Sequence, residues 1–297
     1  MSLANQITVI CRLTVDHAFR NALMQATAEG LKQYGYELSP NEVQVIEQTA
    51  KLFESHPELG NNLDASVRRP CRTHFAATFV HAEAELAARG IDLAEDFVRS
   101  PQFWSEGQTW SAVRSDSLSW QEKAQLREKY NYLLDCFYSY VKACIENGTL
   151  TRPYLPDLLQ YEYDCYKLPL KLYPSTAEDR EAGSALPSDP LRLYPRATSA
   201  AVVRTYDYPV TTIKADAGGV ASAEALQPQQ TSVLFGYGGG RFVRLNLTPS
   251  AKDIWSRCDG RISVRELADS LPQKQAVLQF LQRLFEYRLI QAQLEPA

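Results

Sequence analysis

The side chains best suited to chemistry are six cysteines (Cys11, Cys71, Cys136, Cys144, Cys165, Cys258) and four histidines (His17, His56, His74, His81). No two cysteines form a C-x-x-C pair and no tight Cys/His cluster occurs, which argues against structural zinc and a small disulfide scaffold. His74 and His81 are seven apart, two turns along one helix face, and read as solvated or capping imidazoles ahead of a metal site. Cys71 follows Arg69 and Pro70 near His74. Nearby cations lower a thiol pKa, so a Cys/His nucleophile is conceivable there, but no oxyanion partner accompanies it. Glu162 and Asp164 lie two apart on a helix and do not face each other as an acid–base pair would. No G-x-S-x-G elbow, Walker loop or H-E-x-x-H is present. Gly236-Tyr237-Gly238-Gly239-Gly240 precedes no helix, so it reads as a hairpin turn and not a phosphate cradle. The chain is therefore expected to be no enzyme, with no catalytic residue, no metal ligand and no cofactor of its own.

Composition narrows the partners. The chain has 297 residues, 45% hydrophobic and 22% charged, ordinary globular values, and its length suggests about two domains. Its 31 Lys+Arg against 35 Asp+Glu leave a net charge of −4, the wrong sign for a protein that lives on phosphate backbone. No basic start leads into an apolar core and no run of about 18 apolar residues exists, so neither signal peptide nor membrane span is expected. Scattered cysteines then suit a reduced, cytoplasmic protein.

The elements that must position any site fall into two regimes. Residues 1–170 read as helical, with helices near Leu13–Tyr34, from Pro40 after the Ser39/Glu42 capping box, over Phe75–Arg89, over Trp120–Asn147 and over Leu155–Tyr166. Residues 171–200 carry Pro174, Pro187, Pro190 and Pro195 and read as a linker. From 201 to 297 the pattern is strands, then short helices. Val202–Tyr208, Thr231–Tyr237 and Arg241–Leu247 are strands, the last two forming a hairpin. Val243, Leu245 and Leu247 alternate with Phe242, Arg244 and Asn246, giving one apolar face. Thr248-Pro249 opens a helix with Ile254 and Trp255. Ser263 to Glu266 is a capping box for a second, and Val277, Leu278, Leu281, Leu284 and Phe285 line a third. The expected fold class is α+β: a helical N-terminal domain, then a winged helix-turn-helix of three small strands and three helices.

Such a module reads DNA or captures peptide. Residues 241–297 hold nine Lys/Arg against six Asp/Glu, a mild +3 with no basic stripe. A DNA-binding regulator is thus the alternative. The favoured reading is an open sheet edge that accepts an extended peptide as an added strand.

Phe242 to Trp255, Cys258-Asp259-Gly260-Arg261-Ile262-Ser263-Val264-Arg265-Glu266-Leu267, and Leu281 to Ile290 together resemble the PqqD-like family of precursor-peptide recognition elements. Tyr287-Arg288-Leu289 stands where that family often has a glycine. Tyr154-Leu155-Pro156-Asp157-Leu158-Leu159-Gln160-Tyr161-Glu162-Tyr163 is similar to the WLPDLARLEW signature of proteins that partner multinuclear non-heme iron oxygenases in peptide natural-product biosynthesis. A purely structural role for this stretch is an equal alternative. A weaker likeness, Arg12 to Pro40 to nitrile-hydratase-type leaders, is a helix-hairpin pattern with no function attached.

The resemblances imply a non-catalytic subunit that binds the leader of a ribosomally made precursor and presents it to an iron oxygenase in a heterodimer. The iron belongs to that partner, and neither nucleic acid nor membrane is a partner. The nearest such system modifies a carrier peptide's C-terminal cysteine towards 3-thiaglutamate. They imply peptide contacts at Arg241, Phe242, Val243, Arg244, Leu245, Asn246 and Leu247, and at Leu281, Leu284, Phe285 and Arg288. The second implies an oxygenase interface at Tyr154, Leu155, Asp157, Tyr161 and Glu162.

Overall fold

A computed structural model describes residues 9–59 (except 11, 14, 15, 26, 37 and 57), 73–104, 120–173, 190–213 and 226–296. It divides into two compact units, Met1–Arg152 and Pro153–Ala297. The expected Cys71–His74 pair falls outside the described residues at Cys71.

The N-terminal unit is helical in every described element. Helices α1 (His17–Gln25), α2 (Thr27–Gln33) and α3 (Pro40–Ser55) come first. The single helix expected over Leu13–Tyr34 is thus in pieces. Asp16 caps the start of α1, where its carboxylate accepts from the Phe19 N–H at 2.9 Å. Leu13, Phe19, Leu23 and Ile46 form their core. The Glu42 carboxylate accepts from the Ser39 N–H and hydroxyl, as the capping box requires. Next come α4 (Val80–Ala87), α5 (Leu93–Arg99), α6 (Pro101–Trp104) and the long α7 (Trp120–Glu146). Phe75, Phe97 and Phe137 pack ring to ring, with Phe75 and Phe137 stacked at 4.1 Å.

The C-terminal unit begins before the boundary expected at 170. Its first helix, α8 (Leu155–Leu172), packs on the sheet that follows. The strands are β1 (Tyr194–Ala197), β2 (Ala201–Tyr206), β3 (Thr231–Gly238) and β4 (Arg241–Leu247). Then come α9 (Pro249–Ser256), α10 (Val264–Asp269), α11 (Lys274–Glu286) and β5 (Ile290–Gln293). Strands β2, β3 and β4 form an antiparallel sheet with β3 in the middle, and β1 pairs with β5 in a separate ribbon. The fold is α+β, as expected.

The ribbon corrects the linker reading of 171–200 at its C-terminal end. Pro195 reads as a breaker, yet it opposes Ala292 in the ribbon, and Leu193 is buried in the core. Strand pairing between segments about a hundred residues apart leaves no local signal. Residues 174–189 lie outside the described residues.

Register explains the sheet's two faces. Leu234, Leu247, Ile254, Leu267, Leu281, Leu284 and Leu289 make one core with α9 to α11. On the opposite face Phe235 of β3 meets Tyr161 of α8, which also packs edge-on to Tyr206 of β2. The sheet is therefore covered on both sides, so β3 reads as an almost unbroken buried run.

Candidate functional site: the β4 edge and its groove

Strand β4 is an edge of its sheet, with no strand beyond it among the described residues. The turn before it fixes which backbone groups are free. Gly239 and Gly240 have φ of 59° and 79°, the two positive values of a type I′ hairpin. Such a turn closes on a hydrogen-bonded pair, here Gly238 and Arg241, and pairs then alternate along the register. The N–H and C=O of Val243, Leu245 and Leu247 therefore point to β3. Those of Phe242, Arg244 and Asn246 point outward, where an added strand would find them.

A groove of about 510 Å³ runs beside this edge, a size ordinary for ligand sites. Leu245 and Asn246 form its strand side. Ala251 and Ile254 of α9 form its floor. Ala276, Phe280 and Arg283 of α11 form its far wall. These last three are spaced i, i+4 and i+7, one stripe of the helix. The stripe expected on this helix lies one position further round. Leu281 and Leu284 are 1% and 0% exposed and belong to the core. Phe285 packs against that core, half-buried. Sequence reading could have separated the stripes. The buried one, Val277, Leu281 and Leu284, is wholly aliphatic, whereas the groove stripe mixes Ala, Phe and Arg.

The other expected contacts divide by face. Val243 and Leu247 are buried. Arg241 lies over the Tyr287 ring at 5.0 Å. Phe242 stacks near Phe235 on the α8 face. There Arg244 donates to the Cys165 thiol sulfur at 3.3 Å. Burial pushes the Cys165 thiol up, an effect the Arg244 hydrogen bond opposes. Of the expected peptide contacts, Leu245 and Asn246 line the groove.

Gly238 and Arg288 lock strand to helix. A Cβ on Gly238 would run into the Tyr287 carbonyl oxygen. Arg288 has φ 55° and is the one described non-glycine residue with positive φ. The Leu289 N–H reaches back to the Leu284 carbonyl at 2.9 Å and closes α11. The helix thus ends in an ordinary left-handed stop, with arginine at the turn where the resembled family often has a glycine.

The five residues expected to meet an oxygenase turn inward. Tyr154, Leu155 and Glu162 are 3%, 1% and 5% exposed. Asp157 accepts the Tyr208 N–H at 2.9 Å, and burial raises its pKa against that bond. Tyr161 packs against Tyr206 and Phe235, and burial pushes its phenol up to about 12. Asp164 accepts the Tyr206 hydroxyl at 2.9 Å and lies 3.7 Å from Arg204. The signature stretch thus runs along the seam between α8 and the sheet, with Tyr154, Leu155 and Glu162 buried and Asp157 and Tyr161 half-buried.

Among the described residues no group of three His, Cys, Asp or Glu is placed to hold a metal ion. No described helix is long and apolar enough to cross a membrane. On α11 Lys274 pairs with Asp269, which removes one cation from any DNA-facing surface.

Residues 231–290 match the family model described as coenzyme PQQ synthesis protein D (PqqD). The match opens on the first residue of β3 and closes on the first of β5, so it takes in the edge strand, the groove and all three short helices. It leaves out the N-terminal unit, α8, β1 and β2. No curated protein matches the chain.

Proposed function

We propose that this chain is a recognition subunit that binds the leader of a ribosomally synthesised precursor peptide through β4 and its groove. The observation that carries the reading is the outward-facing backbone of Phe242, Arg244 and Asn246 beside an apolar groove, inside the PqqD-matching segment. Main-chain hydrogen bonds would give affinity, and side-chain pockets would give specificity. The N-terminal helical unit would dock a multinuclear iron oxygenase, in which the metal and the chemistry reside. Tethering the leader raises the effective concentration of the peptide's reactive end at that metal and orients it. A C-terminal cysteine is the reactive end this reading favours. The resemblance of Tyr154–Tyr163 to oxygenase-partner proteins supports the pairing, although those side chains themselves face inward.

The test is fluorescence anisotropy of a labelled precursor peptide encoded beside this chain, titrated with the full chain. Saturable binding is expected, and Asn246→Pro should abolish it while leaving the fold intact. Proline there removes only an outward N–H and sits on a sheet edge. Co-purification of a co-expressed multinuclear iron oxygenase with the chain tests the second half. Absence of saturable binding, alone and with the oxygenase present, would overturn the proposal.

A further inference from the structure

The groove carries a selectivity that the peptide-binding reading, on which this inference rests, does not by itself specify. Arg283 is the one charged side chain among the groove's lining residues, and no carboxylate lines it. Arg283 is exposed, and no described carboxylate pairs with it. Its neighbour on the helix, Glu286, is held by Gln282 at 2.9 Å. Beside Arg283 the wall is apolar: Phe280, Ala276, Val277 and, across the groove, Leu245.

We infer that the groove selects an extended acidic peptide segment in which an apolar anchor is followed or preceded, two residues away, by an Asp or Glu. The spacing comes from matching two periodicities. Residues i and i+2 of an added strand point to the same face, about 6.8 Å apart. Phe280 and Arg283 are three residues apart on α11, a rise of about 4.5 Å along the helix. The long arginine side chain spans the remaining difference. With the added strand running along α11, an anchor seated on Phe280 and Leu245 brings its i±2 neighbour to the Arg283 guanidinium. A carboxylate there gains a charge-assisted hydrogen bond, and a basic side chain meets a like charge.

The probe is a display library of random twelve-residue peptides, selected on the full chain. Wild type should enrich peptides with an aliphatic or aromatic residue two positions from Asp or Glu. Binding of such a peptide should weaken about tenfold in Arg283→Glu at low salt, with the difference shrinking as salt rises. Selection on Arg283→Glu should switch the preference at that position to Lys or Arg. Arg265→Glu, an exposed charge change outside the groove, is the matched control and should alter neither. Enrichment without the acidic preference, or a preference unmoved by Arg283→Glu, would overturn this inference and leave peptide binding standing. Failure of wild type to enrich any peptide would overturn both.

Discussion

Arg288 concentrates a backbone cost in one residue. Its φ of 55° is left-handed, a region where a Cβ costs about 1 kcal/mol or more and glycine costs little. The side chain also makes contacts, so deleting it confounds the measurement unless two deletions are compared. Arg288→Gly and Arg288→Ala both remove the side chain and differ only in the Cβ. Arg288→Gly should be the more stable by about 1 kcal/mol in urea melts, the reverse of the usual helical order. Equal stabilities would show that the left-handed stop carries no strain. A second residue pair separates fold from binding on β4. Leu245→Pro deletes an N–H that points to β3 and should lower stability sharply, whereas Asn246→Pro deletes one that points out. Circular dichroism melts of the two should therefore diverge, although they are adjacent in sequence.

Elements α10 and α11 each make a claim of their own. Helix α10 is short and depends on its cap, where the Glu266 carboxylate accepts from the Ser263 N–H and hydroxyl at 2.9 and 2.7 Å. Those bonds hold the Glu266 pKa below its ordinary 4.5. A depressed carboxylate pKa contributes stability that is present above the unfolded value and lost as pH falls through the folded one. Glu266→Gln should therefore lower Tm at neutral pH, and the gap from wild type should close as pH drops below about 4.5. A gap independent of pH would mean that the Glu266 charge contributes nothing to the cap. On α11 the two stripes predict opposite phenotypes. Leu284→Ala opens a core cavity and should cost about 2–5 kcal/mol. Phe280→Ala trims the groove wall and should weaken peptide binding with a smaller stability loss.

These elements also show what sequence could carry. The α10 cap, the Gly239-Gly240 turn and the alternation of β4 are local patterns, so they were readable. Phe280 and Arg283 were not assigned to the groove, because periodicity marks which stripe is apolar and not which rim a strand leaves open. The ribbon of β1 with β5 was hidden because its pairing joins distant segments and one strand contains proline.

At the scale of the whole molecule, the PqqD match and the folding unit do not coincide. The match starts at residue 231, but β3 at that point is a middle strand with β2 on its far side. Its α8-facing residues Val233 and Phe235 are both 0% exposed, and α8 supplies the cover. Helix α8 also anchors β2 through Asp164 and Tyr206, and the segment after β2 through Asp157 and Tyr208. Removing α8 would return those aromatic and aliphatic faces to water, at roughly 1.5–3 kcal/mol for each large side chain. That loss is comparable to the whole stability of a small domain. A fragment of residues 153–297 should therefore unfold in one cooperative transition. A fragment of residues 190–297, which keeps every described strand and the entire matched segment, should bind ANS and melt broadly or aggregate. Scanning calorimetry with ANS fluorescence on the two fragments decides the matter. A sharp, ANS-silent transition in the shorter fragment would mean that α8 rests on a module already complete. The expected contrast would make α8 part of the peptide-recognition module itself, and would set the module's boundary at the Arg152–Pro153 junction where the compact units divide.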